Sequence, residues 1–248
     1  MENNIQNGYE IENYRNIYNK AQHISLSNFL HSTSAKNIYK HFPHISWRTK
    51  FISGYGEEHM DLNVFKDEYL EHIRKHAERN FGFHFDFFEI NQELIGAADI
   101  KEPESPTKMA DLFVSKMLMQ IKIELESFIP ELTGIQTLEN LWIGCQRYRA
   151  GHFLKPHTDR GQTDYGWRRI AFSLHMTPDW EADWGGQIMY TKKDDPNPIT
   201  RVISPTFNTL HIFEVNDDEV HHVVPIAAYT KNSRFGIHGW FHTKNENE

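Results

Sequence analysis

Apolar residues recur at helical spacing through the first half of the chain. This periodicity predicts helices over residues 10–22, 32–42 and 61–81. A longer helix is predicted after Ser105-Pro106, because proline is favoured in a first helical turn. Its apolar face is an i+4 row of Phe113, Met117, Ile121 and Leu125. We expect these helices to pack as a layer that supports a sheet, with two strands among them at 23–30 and 82–91.

From residue 139 onward the pattern changes to short strands at regular intervals. The predicted strands cover residues 139–149, 169–176, 186–191, 201–204, 209–215, 221–226 and 234–242. Short strands at this density are typical of a jelly roll, whose two sheets leave a mouth at one end. We therefore predict an α+β protein with a mainly β core, namely a double-stranded β-helix (jelly roll) supported by N-terminal helices.

Candidate metal ligands lie in two separate segments of the chain. His157 and Asp159 are two residues apart, so on an extended backbone they project from the same face. His221 follows in a valine-flanked strand, and its neighbour His222 must face the opposite way. The frame His-x-Val-x-Pro favours His221 over His222 as the third ligand. Two histidines and one carboxylate form the facial triad that holds iron(II) and leaves the opposite positions open for dioxygen and a co-substrate.

A cation accompanies the candidate ligands on the last predicted strand. Arg234 shares one face with Gly236, His238 and Trp240, while the opposite face is largely apolar. A guanidinium group forms two-pronged hydrogen bonds to a carboxylate. Arg234 is therefore a catalytic candidate beside His157, Asp159 and His221, with a dicarboxylate such as 2-oxoglutarate as its ligand.

These motifs, in this order, resemble the iron(II)/2-oxoglutarate-dependent oxygenases. The resemblance is to the prolyl 4-hydroxylase-like branch, and within it to the prolyl hydroxylases that act on a ribosomal protein. Its marks are Tyr148, His157-Thr158-Asp159, residues 168–172, Trp184-Gly185-Gly186, residues 213–215, His221 and the run from Arg234 to His242. The resemblance implies Fe(2+), 2-oxoglutarate and O2 as cofactors, with ascorbate as a reductant.

The resemblance also implies roles for individual residues. His157, Asp159 and His221 correspond to the iron ligands, Arg234 to the partner of the distal 2-oxoglutarate carboxylate, and Tyr148 to a tyrosine that faces the co-substrate. Two positions depart from the pattern: His175 stands where many relatives have a tyrosine, and His238 where they have a small hydroxyl residue. We include both histidines as candidate co-substrate contacts, although the charge of a histidine depends on pH.

Composition and charge limit the kinds of partner that we expect for this protein. The 248 residues carry a formal net charge of -8, which gives no general attraction to nucleic-acid phosphates or anionic lipid. The sequence has no signal-peptide pattern and no apolar run of the roughly 20 residues that span a bilayer. Cys145 is the single cysteine, so an intrachain disulfide is excluded. We expect a cytoplasmic protein without nucleic-acid or membrane partners, and the sequence does not indicate its oligomeric state.

We expect one oxygenase domain over residues 1–248. Residues 1–138 would supply the helical support and the first strands, and residues 139–243 the jelly-roll core with the metal site. The loop from Arg160 to Trp167 should border the mouth, where Tyr165 and Trp167 offer flat apolar area. Such a surface suits a prolyl residue of a protein or peptide, which is the predicted substrate.

Other functions remain open at this level. A free amino acid or natural-product intermediate would need a charged anchor, which Arg149, Arg160 or Arg168 could supply. A non-catalytic metal-binding jelly-roll module would require neither Arg234 nor an open coordination site. A hydrolase that holds zinc in the same three ligands is a further alternative, since such sites accept several divalent ions.

Overall fold

The computed structural model describes residues 4–6, 8–98 and 104–246, which form five α-helices and thirteen strands. The helices are α1 (Ile11–Ala21), α2 (Ser32–His41), α3 (Glu68–Arg79), α4 (Gln92–Ala98) and α5 (Pro106–Thr133). Strands of the N-terminal part are β1 (His23–Ser27), β2 (Arg48–Ser53), β3 (Gly56–Asp61) and β4 (Phe83–Glu89). The remaining strands are β5 (Leu141–Tyr148), β6 (Phe153–His157), β7 (Gln162–Thr163), β8 (Gly166–His175), β9 (Ile188–Lys192), β10 (Ile199–Ile203), β11 (Thr209–Glu214), β12 (Glu219–Val223) and β13 (Arg234–Thr243).

All strand pairs in the described residues are antiparallel, and they join into one curled sheet. Its order is β1-β11-β8-β13-β5-β4-β6-β12-β9-β10, with β2, β3 and β7 attached at the sides. Strand β4 links the two halves, because Phe83 and His84 pair with β6 while residues 86–89 pair with β5. The curl brings β6 and β12 to face β13 and β8. This is the predicted double-stranded β-helix, in which strands from both parts of the chain share one sheet.

Helix α5 confirms the prediction made from Ser105-Pro106. The Ser105 hydroxyl accepts a hydrogen bond from the Lys108 backbone N–H at 3.2 Å, and Pro106 occupies the first turn. The helix ends at Gly134, whose φ of +74° lies in the left-handed region that glycine adopts without strain. Its buried side chains join the core of β5, β8 and β13, and they are Ala110, Val114, Leu118, Ile121, Leu125, Ile129 and Leu132.

Strand β13 shows the two faces that its alternation predicts. Phe235, Ile237 and Phe241 are buried in the core beneath the helices. His238 and Trp240 line a cavity on the other face. The apolar face therefore anchors the strand, while the polar face is presented to the interior of the curled sheet.

The helix predicted over residues 61–81 is wrong in its first part. Helix α3 begins at Glu68, and Asp61 instead ends strand β3, which pairs with β2 from Arg48 to Ser53. Phe65 reaches the core from a turn, packing on Phe51 and Tyr69. Apolar spacing alone could not separate this arrangement from a longer helix, because β3 is polar on both faces. None of the helices in the described ranges is long and apolar enough to cross a bilayer.

Candidate metal centre and co-substrate site

The three predicted metal ligands meet on the inner face of β6 and β12. His157 and His221 are directly paired across these strands, and Asp159 follows His157 in the loop after β6. One ligand atom from each residue lies within 4.8 Å of the other two. The Nε2 atoms of His157 and His221 each lie 3.5 Å from a different Asp159 carboxylate oxygen. Ligands at right angles and about 2.1 Å from a metal lie about 3 Å apart, so this spacing fits one divalent ion.

Hydrogen bonding and burial prepare these ligands for a cation. The Nδ1–H of His157 donates to the Lys155 carbonyl oxygen at 2.9 Å, which leaves the Nε2 lone pair directed at Asp159 and His221. Burial lowers the pKa of His221 to about 4, so its imidazole is neutral, as a metal ligand must be. Burial by itself raises the pKa of Asp159, but the neighbouring His221 and His157 outweigh it and hold that pKa well below its usual range.

His222 is placed outside this cluster. Its Cα is paired with Met189 of β9, and its side chain leaves on the opposite face of β12 from His221. The structure therefore groups His221, and not His222, with His157 and Asp159, as the His-x-Val-x-Pro frame predicts. Within the described residues this is also the one group of three side chains with metal-ligand spacing.

Arg234 is completely buried although it carries a charge. Its exposed fraction is 0%, and burial lowers its pKa only to about 10, so the guanidinium stays protonated at neutral pH. Neither Nε nor Nη1 has a hydrogen-bond partner among the described residues. A buried charge without a counterion costs several kcal/mol, roughly, and is usually compensated by an anion. The residues present thus fit a carboxylate ligand at this position.

Two predicted co-substrate residues surround Arg234. The Nη2–H of Arg234 donates to His175 Nδ1 at 3.2 Å, and the guanidinium carbon lies 5.2 Å from the centre of the Tyr148 ring. Since Arg234 can only donate, His175 must accept through Nδ1, which puts its proton on Nε2. His175 Nε2 and the Tyr148 hydroxyl are both buried without a partner in the described residues. Three donors with unmet hydrogen-bonding capacity therefore lie in one group.

The Gly185-Gly186 turn makes room for this group. A Cβ on Gly186 would lie 2.8 Å from Arg234 Cδ, and one on Gly185 would lie 2.2 Å from the Pro225 carbonyl oxygen. The φ angles of Gly185 and Gly186 are +78° and +77°, a backbone conformation that is strained for residues with a Cβ. The turn leads into β9 and also closes the pocket around the arginine.

His238 has a different setting from His175. It lies four residues along β13 from Arg234, a separation of about 13 Å in an extended strand. Its ring is 5.3 Å from that of Trp142 and 5.4 Å from that of Trp240, and burial lowers its pKa to about 3. His238 lines both the metal cavity and an adjoining mouth of about 250 Å³. The geometry separates it from the group formed by Arg234, His175 and Tyr148.

The mouth combines the predicted loop with strands from the N-terminal part. Thr163, Tyr165 and Arg168 line it, whereas Trp167, predicted for the same rim, is not among its lining residues. The rest of the wall comes from β13, with His238, Trp240 and His242, and from earlier strands, with Lys50, His59, Phe85, Phe87, Glu89 and Trp142. Sequence reasoning missed the six residues of the earlier strands. They belong to β2, β3, β4 and β5, and only the pairing of those strands brings them beside the metal cavity.

The three candidate anchors for a charged substrate have different partners. Arg149 binds Asp86, with Nε 2.7 Å from Oδ2, and Arg160 pairs with Glu246 at 2.9 Å and Asp217 at 3.3 Å. The guanidinium of Arg168 instead lies 4.4 Å over the ring of Trp240. Its Nη1 donates to the Asp159 carbonyl oxygen at 3.3 Å. Of these three arginines, Arg168 is the one that lines the mouth.

Comparison with known proteins agrees with this geometry. The prolyl 3-hydroxylase OGFOD1 of Mus musculus is 29% identical over 122 residues, which cover 48% of this chain and 22% of that protein. The prolyl 3,4-dihydroxylase OGFOD1 of Ostreococcus tauri is 27% identical over 199 residues, covering 73% of this chain and 37% of that protein. The chain thus spans well under half the length of these relatives.

Solved structures share the fold at low sequence identity. A prolyl-4-hydroxylase from Pseudomonas putida superposes with a TM-score of 0.57 at 14% identity, covering 94% of this chain and 99% of that one. A prolyl hydroxylase from Trichoplax adhaerens, in complex with a hypoxia inducible factor oxygen degradation domain peptide fragment, also has a TM-score of 0.57 at 14% identity. This superposition covers 96% of this chain and 94% of the Trichoplax adhaerens chain.

The segment that carries all three metal-ligand candidates has a family match. Residues 143–242 match the family model described as the 2OG-Fe(II) oxygenase superfamily. This segment runs from β5 through β13 and includes Arg234, His175 and Tyr148. The matched segment thus contains the His-Asp-His cluster and the jelly-roll strands that surround it.

Proposed function

We propose that this protein is an iron(II)- and 2-oxoglutarate-dependent dioxygenase that hydroxylates an unactivated C–H bond of a prolyl residue in a protein or peptide. The single observation that carries the proposal is the fully buried Arg234. It has no carboxylate partner in the described residues, and its strand belongs to the same jelly roll as the His-Asp-His cluster. A non-catalytic metal-binding module would gain nothing from such an uncompensated charge.

Each residue of the site has a role in this proposal. His157 and His221, through Nε2, and the Asp159 carboxylate hold the iron(II). Bound together there, iron(II), 2-oxoglutarate and dioxygen supply the chemistry that converts 2-oxoglutarate to succinate and carbon dioxide and adds one oxygen atom to the substrate. With three protein ligands, a bound iron(II) would keep further coordination positions for the co-substrate and dioxygen.

The chain's own residues orient the co-substrate and keep water out. Arg234 would bind the distal carboxylate of 2-oxoglutarate through guanidinium N–H groups that have no protein partner, while His175 accepts from Nη2 and so fixes the plane of the guanidinium. The Tyr148 hydroxyl and His175 Nε2 are further donors toward the same ligand. The rest of the cavity wall is mainly apolar, which limits entry of water, and includes Phe85, Leu154, Ala171, Phe172, Ile188, Phe213 and Val223.

The mouth supports a prolyl substrate. Trp142, Trp240 and Tyr165 offer flat rings around an opening that leads to the metal cavity, and a pyrrolidine ring is recognised by shape more than by charge. The relatives named prolyl hydroxylases point the same way, as does the peptide in the Trichoplax adhaerens structure. The runner-up is a free amino acid or natural-product intermediate, favoured by the position of Arg168 at the mouth.

Further parts of the proposal rest on the same resemblance to prolyl hydroxylases. Ascorbate would serve as reductant, the protein would act in the cytoplasm, and residues 1–248 would form one oxygenase domain. The shared sheet, which joins β1 to β4 with β5 to β13, supports the last of these. His238 would contact the substrate side of the iron site and not the distal carboxylate.

The direct test is succinate formation by the purified protein. Turnover should require both added iron(II) and 2-oxoglutarate, and mass spectrometry should find a product heavier by one oxygen atom in digests of cellular protein. Succinate formation without any iron requirement would contradict the proposed chemistry. Oxygen addition found only in a pool of small amino-acid-like metabolites would overturn the peptide substrate in favour of the runner-up.

Arg168 is expected to bind the primary substrate. Its guanidinium lies on Trp240, and its buried Nε has no partner in the described part of the chain, so it can donate to a carbonyl or carboxylate oxygen at the mouth. Arg168→Gln should raise the KM for the primary substrate by roughly tenfold, the effect of one hydrogen bond of about 1.4 kcal/mol. Arg160→Gln, a matched change outside the mouth, should leave this KM unaltered. Equal effects of both changes would exclude a specific contact.

Binding of 2-oxoglutarate is expected to be independent of the charge of His175. Burial, reinforced by Arg234, holds the pKa of His175 well below its ordinary value, so the ring stays neutral at and above pH 6.5. No proton leaves His175 as pH rises further, and wild type and His175→Gln should show the same pH profile for co-substrate affinity in anaerobic calorimetry. A wild-type affinity that falls with pH, against a flat profile for His175→Gln, would reveal a charged His175.

A further inference from the structure

A second cavity lies on the outer side of the sheet, away from the metal ligands. It has a volume of about 300 Å³ and is enclosed by α3, β4 and the turn between β5 and β6. None of the metal-ligand candidates lines it. Part of its wall is apolar and includes Leu62, Phe65, Leu70, Ile73 and Phe153. The catalytic proposal makes no use of this cavity.

Two buried histidines line the cavity with unmet hydrogen-bonding capacity. His84 and His152 are each only 3% exposed, and their ring centres are 4.1 Å apart. His84 Nε2 and His152 Nδ1 have no hydrogen-bond partner among the described residues. Burial lowers the pKa of His84 to about 4 and that of His152 well below its ordinary value, so both rings are neutral at pH 7. The neutral His84 ring can present an N–H at Nε2 to a ligand, whereas the single N–H of neutral His152 is hydrogen-bonded to the Arg147 backbone.

The charges around the cavity favour an anion. Asp86, beneath the histidines, is fully engaged: it accepts from Thr49 Oγ1 at 2.8 Å, from Arg147 Nε at 2.8 Å and from Arg149 Nε at 2.7 Å. One carboxylate thus faces two guanidinium groups, which leaves one positive charge in excess. Arg74 on α3 adds a second positive charge at the rim, opposed there by Asp67.

A metal ion is disfavoured at this place. The two histidine rings would offer two ligands, but the oxygens of the nearby Asp86 are already used by Thr49 and the arginines. Within the described residues, no third side chain completes a metal-ligand group around His84 and His152. Arg149 and Arg74 would also repel a cation, and both lower the pKa of His84 after the larger effect of burial.

From this juxtaposition we propose that the cavity bounded by His84, His152, Arg74 and Arg149 binds a small organic anion with an apolar body. The carboxylate or phosphate group is bound by Arg74, Arg149 and the His84 ring N–H, with His152 packed beside His84. The apolar part lies against Phe65, Leu70 and the other apolar side chains of the wall. This site is separate from the 2-oxoglutarate site, and its existence does not depend on the catalytic proposal.

The test uses hexanoate as the probe and the whole 248-residue chain with isotope-labelled histidine. Hexanoate should shift the ring signals of His84 and His152 and raise the pKa of His84, because a nearby negative charge favours the protonated ring. Inorganic phosphate, which has no apolar body, should bind more weakly. His84→Gln and His152→Gln serve to assign the two signals.

Two matched variants decide whether the binding is specific. Arg74→Gln should weaken hexanoate binding by roughly fivefold, the effect of about 1 kcal/mol at a partly exposed site. Arg79→Gln removes the same charge from the same helix at a position outside the cavity, and should leave the affinity unchanged. The proposal is overturned if hexanoate leaves both histidine signals unmoved, if phosphate alone binds, or if the two arginine variants weaken binding equally.

Discussion

Alanine in place of Asp159 is expected to abolish succinate formation and to remove tightly bound metal from the protein. The carboxylate is the only anionic member of the cluster, and each of its oxygens faces one histidine at 3.5 Å. Loss of residues that merely orient metal ligands typically costs roughly 10- to 100-fold in metal affinity, so loss of a ligand should cost more. His157→Ala and His221→Ala should have the same result. Metal content and turnover of the purified variants would be measured together.

His222 supplies the matched control for this experiment. His222→Ala changes the adjacent residue of the same strand, but its side chain leaves on the opposite face and should not affect metal content or turnover. The melting temperature of each metal-free variant would show that the fold persists. An inactive His222→Ala beside an active His221→Ala would mean that the register of β12 has been assigned wrongly.

Replacement of Arg234 is expected to weaken 2-oxoglutarate binding by roughly thirtyfold or more, which corresponds to about 2 kcal/mol for a charge-assisted hydrogen bond. Arg234→Lys keeps the charge but loses the two-pronged geometry, so it should fall between wild type and Arg234→Met. Anaerobic calorimetry with the metal present would measure these affinities. Unchanged affinity in both variants would refute the role of Arg234, and Arg160→Lys, at an exposed ion pair, is the control for the substitution itself.

The same variants distinguish a ligand-binding arginine from a structural one. Arg234 is fully buried without a carboxylate partner in the described residues, so Arg234→Met should not destabilise the protein in the absence of 2-oxoglutarate. Wild type should gain about 2.7 kcal/mol of stability at a 2-oxoglutarate concentration of 100 times Kd, and Arg234→Met should gain much less. A large loss of stability in the co-substrate-free variant would instead indicate that Arg234 holds the fold.

Local patterns in the sequence were sufficient for the central parts of the site. His157 and Asp159 share a face because strand side chains alternate, and the same rule separates His221 from His222 and puts Arg234 opposite Phe235. The start of α5 was also encoded locally, in the Ser105 cap and in Pro106. These features depend on a few neighbouring residues, so they can be predicted without knowledge of the rest of the chain.

The surroundings of the site were decided by tertiary structure alone. Strand β3 carries no apolar alternation, so only its pairing with β2 defines it, and that hairpin brings Lys50 and His59 to the mouth. His175 can accept from Arg234 because burial keeps its ring neutral, with one nitrogen unprotonated, which no sequence spacing expresses. The sequence by itself determined which residues could bind metal and co-substrate. Packing of distant strands determined their exposure, their protonation and the shape of the opening, because these depend on contacts between residues far apart in the chain.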